Sequence, residues 1–435
     1  MQTWMSRSLK AFGVVAIGAT ALSAPASAQD KLTLWSHVVH QQVVEGARGG
    51  AEVDLGAAFT DSTGTGLEWV TIAFAQMADK VKRELNLSNS EADIVFVVNA
   101  WADPSTLRQL VPLDEFMAAS PIANMDDISP AMIAAFSDKE GMKGIPIRHN
   151  PQLLHYNTQI FEQQGIEAAP TTAEELVETI KKATHVRDDG ATVYGFAFET
   201  NQLEDLAVWV RAWGGELIGQ DLSIGVNTPE AIAAISALRD LYAAGALPPN
   251  LSILTPADLQ NLLSQGLIVM GIFGDNYYAR FNNPEQSRVA GNTWFAPVPA
   301  SESNTKADYA SAAGVWAMTI PKNGDPESRQ RAYDFMAYLS EQDNQLTLAL
   351  NNNSPIRASI YSNAEYAAKV PYASVVQKVL PIAAPAKPAF PGSLEVERII
   401  LEEAVAAITG EKDVEAAVAD ADAAIERVMK REGLR

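Results

Sequence analysis

Aromatic and polar side chains recur where the apolar segments of this sequence end. Each of these segments has the composition of a buried strand, and small molecules bind at the carboxyl ends of strands in open α/β sheets. A ring face suits the C–H surface of a polyhydroxylated compound, while amides and carboxylates pair with its hydroxyl groups. The pattern therefore predicts a binding site of that chemistry. Its members are Trp35, Ser36 and His37 after KLTL, Asn99 and Trp101 after ADIVFVV, Glu199 and Asn201 after VYGFAF, and Gly274 to Tyr278 after LIVMGIF.

Catalytic and metal-binding motifs are missing from the sequence. Its five histidines show neither His-Glu-x-x-His spacing nor a helical pairing suited to zinc. The sequence also lacks a Gly-x-Ser-x-Gly turn, a phosphate-binding loop and a Gly-x-Gly-x-x-Gly run after a strand. We therefore expect no catalytic residue, no metal and no cofactor. A carboxylate pair for glycoside hydrolysis stays open, because 53 acidic residues offer many pairings.

The elements that must position these residues alternate between strands and helices. Apolar runs at 31–35, 66–74, 90–99, 193–199 and 267–273 read as strands. Helical patterns lie between them, at about 172–184 and, with Asn227 and Thr228 as caps, from Pro229 to Tyr242. This alternation predicts an α/β fold, and 435 residues with 47% hydrophobic content predict two compact lobes.

The first 28 residues have the features of a cleaved secretory signal peptide. Arg7 and Lys10 precede an apolar run that is too short to span a bilayer, and Ala26-Ser27-Ala28 follows as a cleavage site. An uncleaved membrane anchor is the alternative. The absence of cysteine excludes disulfides and a lipid-anchoring cysteine, which favours a free periplasmic protein. A net charge of −21 makes nucleic acid and anionic membranes poor partners.

Nine segments occur in the order found in a known family. They are KLTLWSH (31–37), ADIVFVVNAW (92–101) with LVPLDEF (110–116), GMKGIPIRHNPQLLHYNTQIFEQQGIEAAPTTAEEL (141–176), WGGELIG (213–219), NTPEAIAAISALRDLYAAG (227–245), QGLIVMGIFGD (265–275), AAGVWAMTIPKNG (312–324), AYDFMAYLSEQDNQ (332–345) and NSPIRASIY (353–361). The chain thus resembles the extracellular solute-binding proteins, family 1, of carbohydrate ABC importers, the group that includes the maltose-binding protein.

The resemblance implies an α/β, two-lobe periplasmic-binding-protein fold of type II, each lobe a mixed sheet flanked by helices, joined by a multi-strand hinge. Its N-terminal lobe would comprise 29–147 and 312–358, and its C-terminal lobe 148–311 and 359–435. The chain would cross between lobes in GIPIRHNPQLLHYN, near 309–318 and near 355–361. The two C-terminal helices, 394–410 and 414–433, would pack on the C-terminal lobe, with a coiled-coil interface as the alternative.

The function implied by the resemblance is transport. Such a protein, as a monomer, would enclose a sugar or sugar derivative in the cleft between its lobes and deliver it to membrane permeases of an ABC importer. A receptor for a polyol, a phosphodiester or an anionic glycoside is the alternative, and several cationic side chains converging on one subsite would favour an anion. A secreted glycan-acting enzyme is a further alternative from another class.

The resemblance also implies a ligand shell. Relatives often have Gly-Pro-Trp where this chain has Gly274-Asp275-Asn276, so we expect a smaller or more polar ligand than a long oligosaccharide. Arg357 could recognise an anionic group or could order the hinge region. The expected ligand-binding residues are Trp35, His37, His40, Asn99, Trp101, Asn150, Glu199, Asp275, Asn276, Tyr277, Gly314, Trp316, Arg357 and Phe390.

Overall fold

A computed structural model describes residues 31–435, so the predicted signal peptide lies outside the described residues. Within that range, no helix is both long and apolar enough to cross a bilayer. The strands are β1 (Lys31–Ser36), β2 (Gly66–Thr71), β3 (Ile94–Val98), β4 (Ser137–Asp138), β5 (Gly141–Met142), β6 (Gly144–Asn157), β7 (His185–Val186), β8 (Thr192–Ala197), β9 (Ile268–Gly274), β10 (Thr293–Ala296), β11 (Val298–Pro299), β12 (Tyr309–Ala310) and β13 (Ala313–Thr319).

Helices flank these strands along the whole described chain. They are α1 (Val38–Val44), α2 (Leu55–Thr63), α3 (Phe74–Leu85), α4 (Pro104–Leu107), α5 (Asp114–Ala119), α6 (Pro130–Ala134), α7 (Thr158–Gln163), α8 (Ala173–Ala183), α9 (Leu203–Ala212), α10 (Pro229–Ala243), α11 (Pro256–Ser264), α12 (Tyr278–Phe281), α13 (Arg329–Ser340), α14 (Gln342–Leu350), α15 (Ala358–Tyr361), α16 (Ala364–Lys369), α17 (Ala373–Val379), α18 (Ser393–Thr409) and α19 (Val414–Arg431). Single 3-10 turns follow β3 at Asn99–Trp101 and β9 at Asp275–Tyr277.

Local signals in the sequence account for the regular elements. Every residue of β3 is buried, because the strand lies between β1 and β13 and is covered on both faces. Helix α10 begins after Thr228, whose side chain accepts a hydrogen bond from the Ala231 amide, and it carries a proline in its first turn. Its buried positions, among them Ile235, Leu238 and Leu241, follow the helical period. The two predicted elements are confirmed.

The main sheet is shared by the two lobes. Its strand order is β2-β1-β3-β13-β6-β9-β8-β7, with β10 also paired to β6. Strands β1, β2 and β3 are parallel, β13 is antiparallel to both β3 and β6, and β8 and β9 are parallel. The 14-residue β6 pairs with β13 as far as Pro151 and with β9 from Gln152 onward. The segment predicted to cross between the lobes is thus one strand with a half in each lobe.

Two hydrophobic cores confirm the two-lobe architecture. The core of the N-terminal lobe joins β1, β3, β13 and α13, and the core of the C-terminal lobe joins β8, β9, α9 and α10. Helices α18 and α19 contact each other and α10, and both contribute buried side chains to the C-terminal core. These two helices therefore bury their apolar faces within their own lobe, as the resemblance implied.

The second crossing between the lobes falls in the predicted stretch. Ala310 and Ala312 belong to the C-terminal core, whereas Val315 belongs to the N-terminal core. The third crossing does not fall near 355–361. Ile360 and the helices α15 to α17 pack in the N-terminal core, and the chain reaches the C-terminal core only at Ala386.

Hydrogen bonds explain why the third crossing comes late. The Tyr361 hydroxyl donates to the Pro355 carbonyl at 3.0 Å and lies 2.9 Å from His149 Nε2 on β6. These contacts tie α15 to the N-terminal lobe. The prediction that residues 359–435 all belong to the C-terminal lobe is therefore wrong for 359–380. The crossing lies near Ala384, whose carbonyl accepts a hydrogen bond from the Ala313 amide at 3.0 Å.

Candidate functional site

A cavity of about 530 Å³ lies between the two lobes. Its volume is within the range of small-molecule sites, which spans roughly 300–1,000 Å³. Side chains of both lobes and of the shared strand β6 line it. From the N-terminal lobe come His37, His40, Arg48, Phe74, Trp101, Gly314 and Trp316; from β6 come Arg148, Asn150 and Gln152; and from the C-terminal lobe come Gln202, Glu204, Asn276, Tyr277, Leu394 and Glu397.

One wall of the cavity is aromatic. The rings of Trp101 and Trp316 meet edge to face with centroids 5.5 Å apart, and Phe74 lies 5.8 Å from Trp101 and 6.1 Å from Trp316. Trp316 also contacts the His40 ring at 4.6 Å. Phe74 remains 46% exposed, although it is a large apolar side chain. This wall can therefore offer ring faces to the C–H surface of a solute.

Strand β6 supplies three polar side chains to the cavity, which together form the polar row. Arg148, Asn150 and Gln152 are two residues apart, so their side chains leave the strand on the same face. The Asn150 Oδ1 atom is buried and accepts no hydrogen bond from the residues described. The same holds for Oδ1 of Asn276 across the cavity. Buried amide oxygens without donors are rare, so these two are suited to receive hydroxyl groups of a solute.

A buried carboxyl group, Asp275, lies behind the polar row. The Ser354 hydroxyl donates a bifurcated hydrogen bond to it and lies 2.9 Å from each of its carboxyl oxygens. Burial raises the pKa of Asp275 to about 6, against the opposing effects of Ser354 and Arg148. Burial also lowers the pKa of Arg148 to about 10, and repulsion from Arg48 adds to that effect. Positive charge is thus concentrated at this end of the cavity.

Acidic side chains collect on the C-terminal lobe. The Glu199 amide donates to Asp205 Oδ2 at 2.8 Å, and Gln202 Nε2 donates to Glu199 Oε1 at 2.9 Å. Burial, followed by repulsion from Glu204, raises the pKa of Glu199 to about 7. The pKa of Asp205 is raised well above its ordinary value, again chiefly by burial. Glu199 itself does not line the cavity but orients Gln202, which does.

Replacing Glu199 with glutamine should change the pH dependence of stability. The folded pKa of about 7 lies above the ordinary 4.5, so the contribution of Glu199 to stability is fully present below pH 4.5 and is lost as the pH rises through 7. Glutamine does not ionise. We expect Glu199→Gln to raise the free energy of unfolding by about 2 kcal/mol at pH 8, a value reduced for partial exposure, and to change little at pH 5. Urea titrations at the two pH values measure this.

The exposed Glu327 provides the matched control for that experiment. Glu327→Gln should alter stability equally, and only slightly, at both pH values. An effect of Glu199→Gln that is the same at pH 5 and pH 8 would contradict the role assigned to burial.

The cavity brings together eight of the predicted ligand-binding residues. They are His37, His40, Trp101, Asn150, Asn276, Tyr277, Gly314 and Trp316. Three more lie behind the lining. Glu199 and Asp275 support it as described, and Asn99 Oδ1 accepts a 2.7 Å hydrogen bond from the Val315 amide, which holds β13 against the end of β3. Their part in binding remains a prediction.

The other three predicted residues do not line this cavity. Trp35 packs against the N-terminal core, and Phe390 is buried in the C-terminal core. Arg357 is wholly buried in the N-terminal lobe. Its guanidinium donates to the carbonyls of Ala123, Asn124 and Ser340 at 2.6–3.1 Å. Internal packing occupies both the Arg357 and the Phe390 side chains, which argues against the prediction that they bind ligand.

The sequence interpretation missed several residues that line the cavity. Two could have been found, because Arg148 and Gln152 flank the predicted Asn150 at the two-residue spacing of a strand. Glu204 follows the predicted Glu199 in the first turn of α9. Arg48 gave no signal, since it lies in an irregular segment after α1. Phe74 starts α3 and reads in the sequence as an ordinary apolar residue.

The arrangement is suited to binding a small polar molecule. Within 31–435, no group of three or more His, Asp or Glu side chains is placed to hold a metal ion. His37 and His40 have lowered pKa values, chiefly because of burial and then because of Arg148, and both effects favour the neutral imidazole. The cavity thus offers aromatic faces, neutral imidazoles, amides and charges of both signs.

Known proteins are similar to this chain in sequence and in fold. A family model described as bacterial extracellular solute-binding protein matches residues 54–373. A binding protein of Brucella abortus (strain 2308) is 22% identical over 388 residues, which cover 85% of this chain and 87% of that protein.

Two solved structures are similar in fold. An ABC transporter solute-binding protein of Agrobacterium radiobacter K84 in complex with ribitol has a TM-score of 0.76 and 20% identity, over 92% of this chain and 98% of that one. Maltose-bound MalE3 of T. maritima has a TM-score of 0.77 and 20% identity, over 91% and 99%. The family match and the shared two-lobe fold confirm the predicted resemblance. The chain belongs to the bacterial extracellular solute-binding proteins.

Proposed function

We propose that this protein is the periplasmic substrate-binding component of an ABC importer and that its solute is a small polyhydroxylated compound, a sugar or a sugar derivative. The observation that carries the proposal is the cavity between the lobes. An aromatic wall of Phe74, Trp101 and Trp316 faces amide and carboxylate side chains across it. Ribitol and maltose, the solutes of the two similar structures, are compounds of that class.

The shared strand supports a clamp-like mechanism. Three chain segments connect the lobes, at β6, before β13 and near Ala384. Parallel connections of this kind let two lobes open and close while resisting rotation about a single link. A solute drives closure only if it binds the closed form more tightly than the open one. Residues of both lobes line the cavity, so a solute held there gains contacts to both as the lobes meet.

The remaining parts of the proposal follow from the family. A monomer that has closed on its solute would present one face to the membrane permeases, which receive the solute. A polyol receptor is compatible with the same cavity. A secreted glycan-acting enzyme is disfavoured, because the carboxyl groups nearest the cavity, Glu204 and Glu397, lie on one lobe. In glycosidases, two carboxyl groups flank the scissile bond from opposite sides.

A thermal-shift screen tests the proposal. The mature chain is unfolded and refolded to remove bound solute, then heated with monosaccharides, disaccharides, polyols, sugar acids and amino acids. A solute at 100 times its Kd should raise the free energy of unfolding by about 2.7 kcal/mol, which shifts the Tm by several degrees. We expect a shift with a sugar, a polyol or a sugar acid and no hydrolysis of chromogenic glycosides. A shift with amino acids alone, or turnover of a glycoside, would contradict the proposal.

A further inference from the structure

Two arginines converge on one end of the cavity. Arg148 reaches it from strand β6 and Arg48 from the irregular segment after α1, 100 residues earlier in the chain. The two arginines lie close enough together to influence the same titratable groups. The charge of Arg48 lowers the pKa of Arg148. Both arginines lower the pKa values of His37 and His40, and both oppose the rise in the pKa of Asp275. Neither arginine was predicted from the sequence as part of the site.

The side chain of Arg148 lines the cavity and has no protein partner among residues 31–435. The residue is only 8% exposed, yet within 31–435 its side chain makes no hydrogen bond and no ion pair. Burying an unpaired cation costs several kcal/mol, so such a group normally lies beside an anion. The Nη1 atom of Arg48 is also buried without a hydrogen-bond partner. Both arginines therefore have donors available at the cavity.

The protein does not fully neutralise this pair. Asp275 is the acidic group that raises the pKa values of both arginines. It lies beyond ion-pair distance from them, and its two oxygens accept the hydrogen bond from the Ser354 hydroxyl. His37 and His40 contribute no negative charge. Glu397 lines the cavity from the C-terminal lobe and is paired with Lys387 at 3.1 Å. Glu204 also lines the cavity, but neither Glu204 nor Glu397 is among the groups that influence the two arginines, so within 31–435 Asp275 is the carboxyl group that offsets part of their charge.

We infer that the solute carries an acidic group, a carboxylate or a phosphate ester, which binds between Arg48 and Arg148. This inference rests on the proposed function and narrows it from polyhydroxylated solutes to acidic ones. Guanidinium groups present forked donors that match the oxygens of both kinds of group. The hydroxylated part of the solute would then lie along the aromatic wall. There its hydroxyl groups reach the free amide oxygens of Asn150 and Asn276.

The test compares matched acidic and neutral solutes by calorimetry on the refolded mature chain. The pairs are D-galacturonate with D-galactose, D-gluconate with D-sorbitol, and sn-glycerol 3-phosphate with glycerol. At least one acid should bind about 10-fold to 100-fold more tightly than its neutral partner. The acid accepts charged hydrogen bonds from the arginines, whereas the neutral solute leaves the arginine donors unpaired. Preference within the first two pairs indicates a carboxylate, and preference within the third indicates a phosphate ester.

Substitutions at the two arginines test whether these residues cause the preference for the acidic solute. Arg148→Gln should abolish the preference for the acid, and Arg48→Gln should do the same at a less buried position, which provides a second variant if the first fails to fold. Arg187→Gln is the matched control. It removes the same charge from a partly exposed arginine that forms an ion pair with Asp189 and does not line the cavity. The control should keep the wild-type preference.

The outcomes separate this inference from the proposed function. Equal binding of acid and neutral partner, unaffected by Arg148→Gln, would overturn the inference and leave the proposed function standing. A preference that survives both arginine substitutions would overturn it as well. If no member of any pair binds, the acidic-solute inference fails. If the wider screen of sugars and polyols then also gives no shift, the proposed function fails with it.

Discussion

Replacing Arg357 with alanine should lower the free energy of unfolding by about 3–5 kcal/mol, the range measured for breaking buried charged networks. The side chain is wholly buried and donates four hydrogen bonds to three backbone carbonyls. Alanine would leave those carbonyls without donors and open a void among them. One of these carbonyls belongs to Ser340, the last residue of helix α13. Chemical denaturation of the mature protein measures the loss.

Two further variants test whether the loss of stability comes from the buried hydrogen bonds of Arg357. Arg187→Ala removes a partly exposed arginine and should change stability by no more than about 0.5 kcal/mol. Arg357→Lys keeps the charge but loses the forked geometry, so it should fall between wild type and Arg357→Ala. Solute affinity at a temperature where Arg357→Ala remains folded should match wild type. A fall in affinity with stability preserved would restore Arg357 as a ligand-binding residue.

Replacing Trp316 with alanine should weaken solute binding by about 100-fold, or about 2.7 kcal/mol. Trp316 lies on β13 at the centre of the aromatic wall, where it contacts Phe74, Trp101 and His40. Its loss removes one ring face and lets the neighbouring rings move. Calorimetry with whichever solute the screen identifies measures the change.

Trp294 offers a matched control for Trp316. It is also partly buried and also lies on a strand, β10, but it contacts Tyr278 and does not line the cavity. Trp294→Ala should reduce stability by an amount similar to Trp316→Ala and leave solute affinity unchanged. If both substitutions weaken binding equally, the effect of Trp316 is one of general stability and the aromatic wall is not a contact surface.

Local sequence patterns predicted the elements with clear periodicity and caps. The fully apolar β3 and the capped α10 are examples, because burial on two faces and end-capping leave marks in consecutive residues. Residues at strand ends were found for the same reason. Trp101 and Tyr277 follow apolar runs, and strand ends gather at one edge of a sheet.

The features that were missed depend on contacts distant in sequence. Arg48 becomes part of the cavity only because the segment after α1 lies near Asp275, more than 200 residues later. The third crossing was misplaced because the hydrogen bond between His149 and Tyr361, 212 residues apart, has no local signature. Arg357 shows the same difficulty in reverse, since a buried structural arginine and a ligand-binding one look identical in a sequence.

The place of β13 in the sheet bears on how the chain folds. This strand lies between β3 and β6, and the contact of Val315 with Asn99 joins residues 216 positions apart. Closing so long a loop has a large entropic cost, and folds rich in such contacts form slowly. The strands β8 and β9, with helices α8 to α11, come from one continuous stretch of chain. The C-terminal lobe can therefore assemble most of its core first, while the earlier-synthesised N-terminal lobe must wait for a strand that emerges after residue 312.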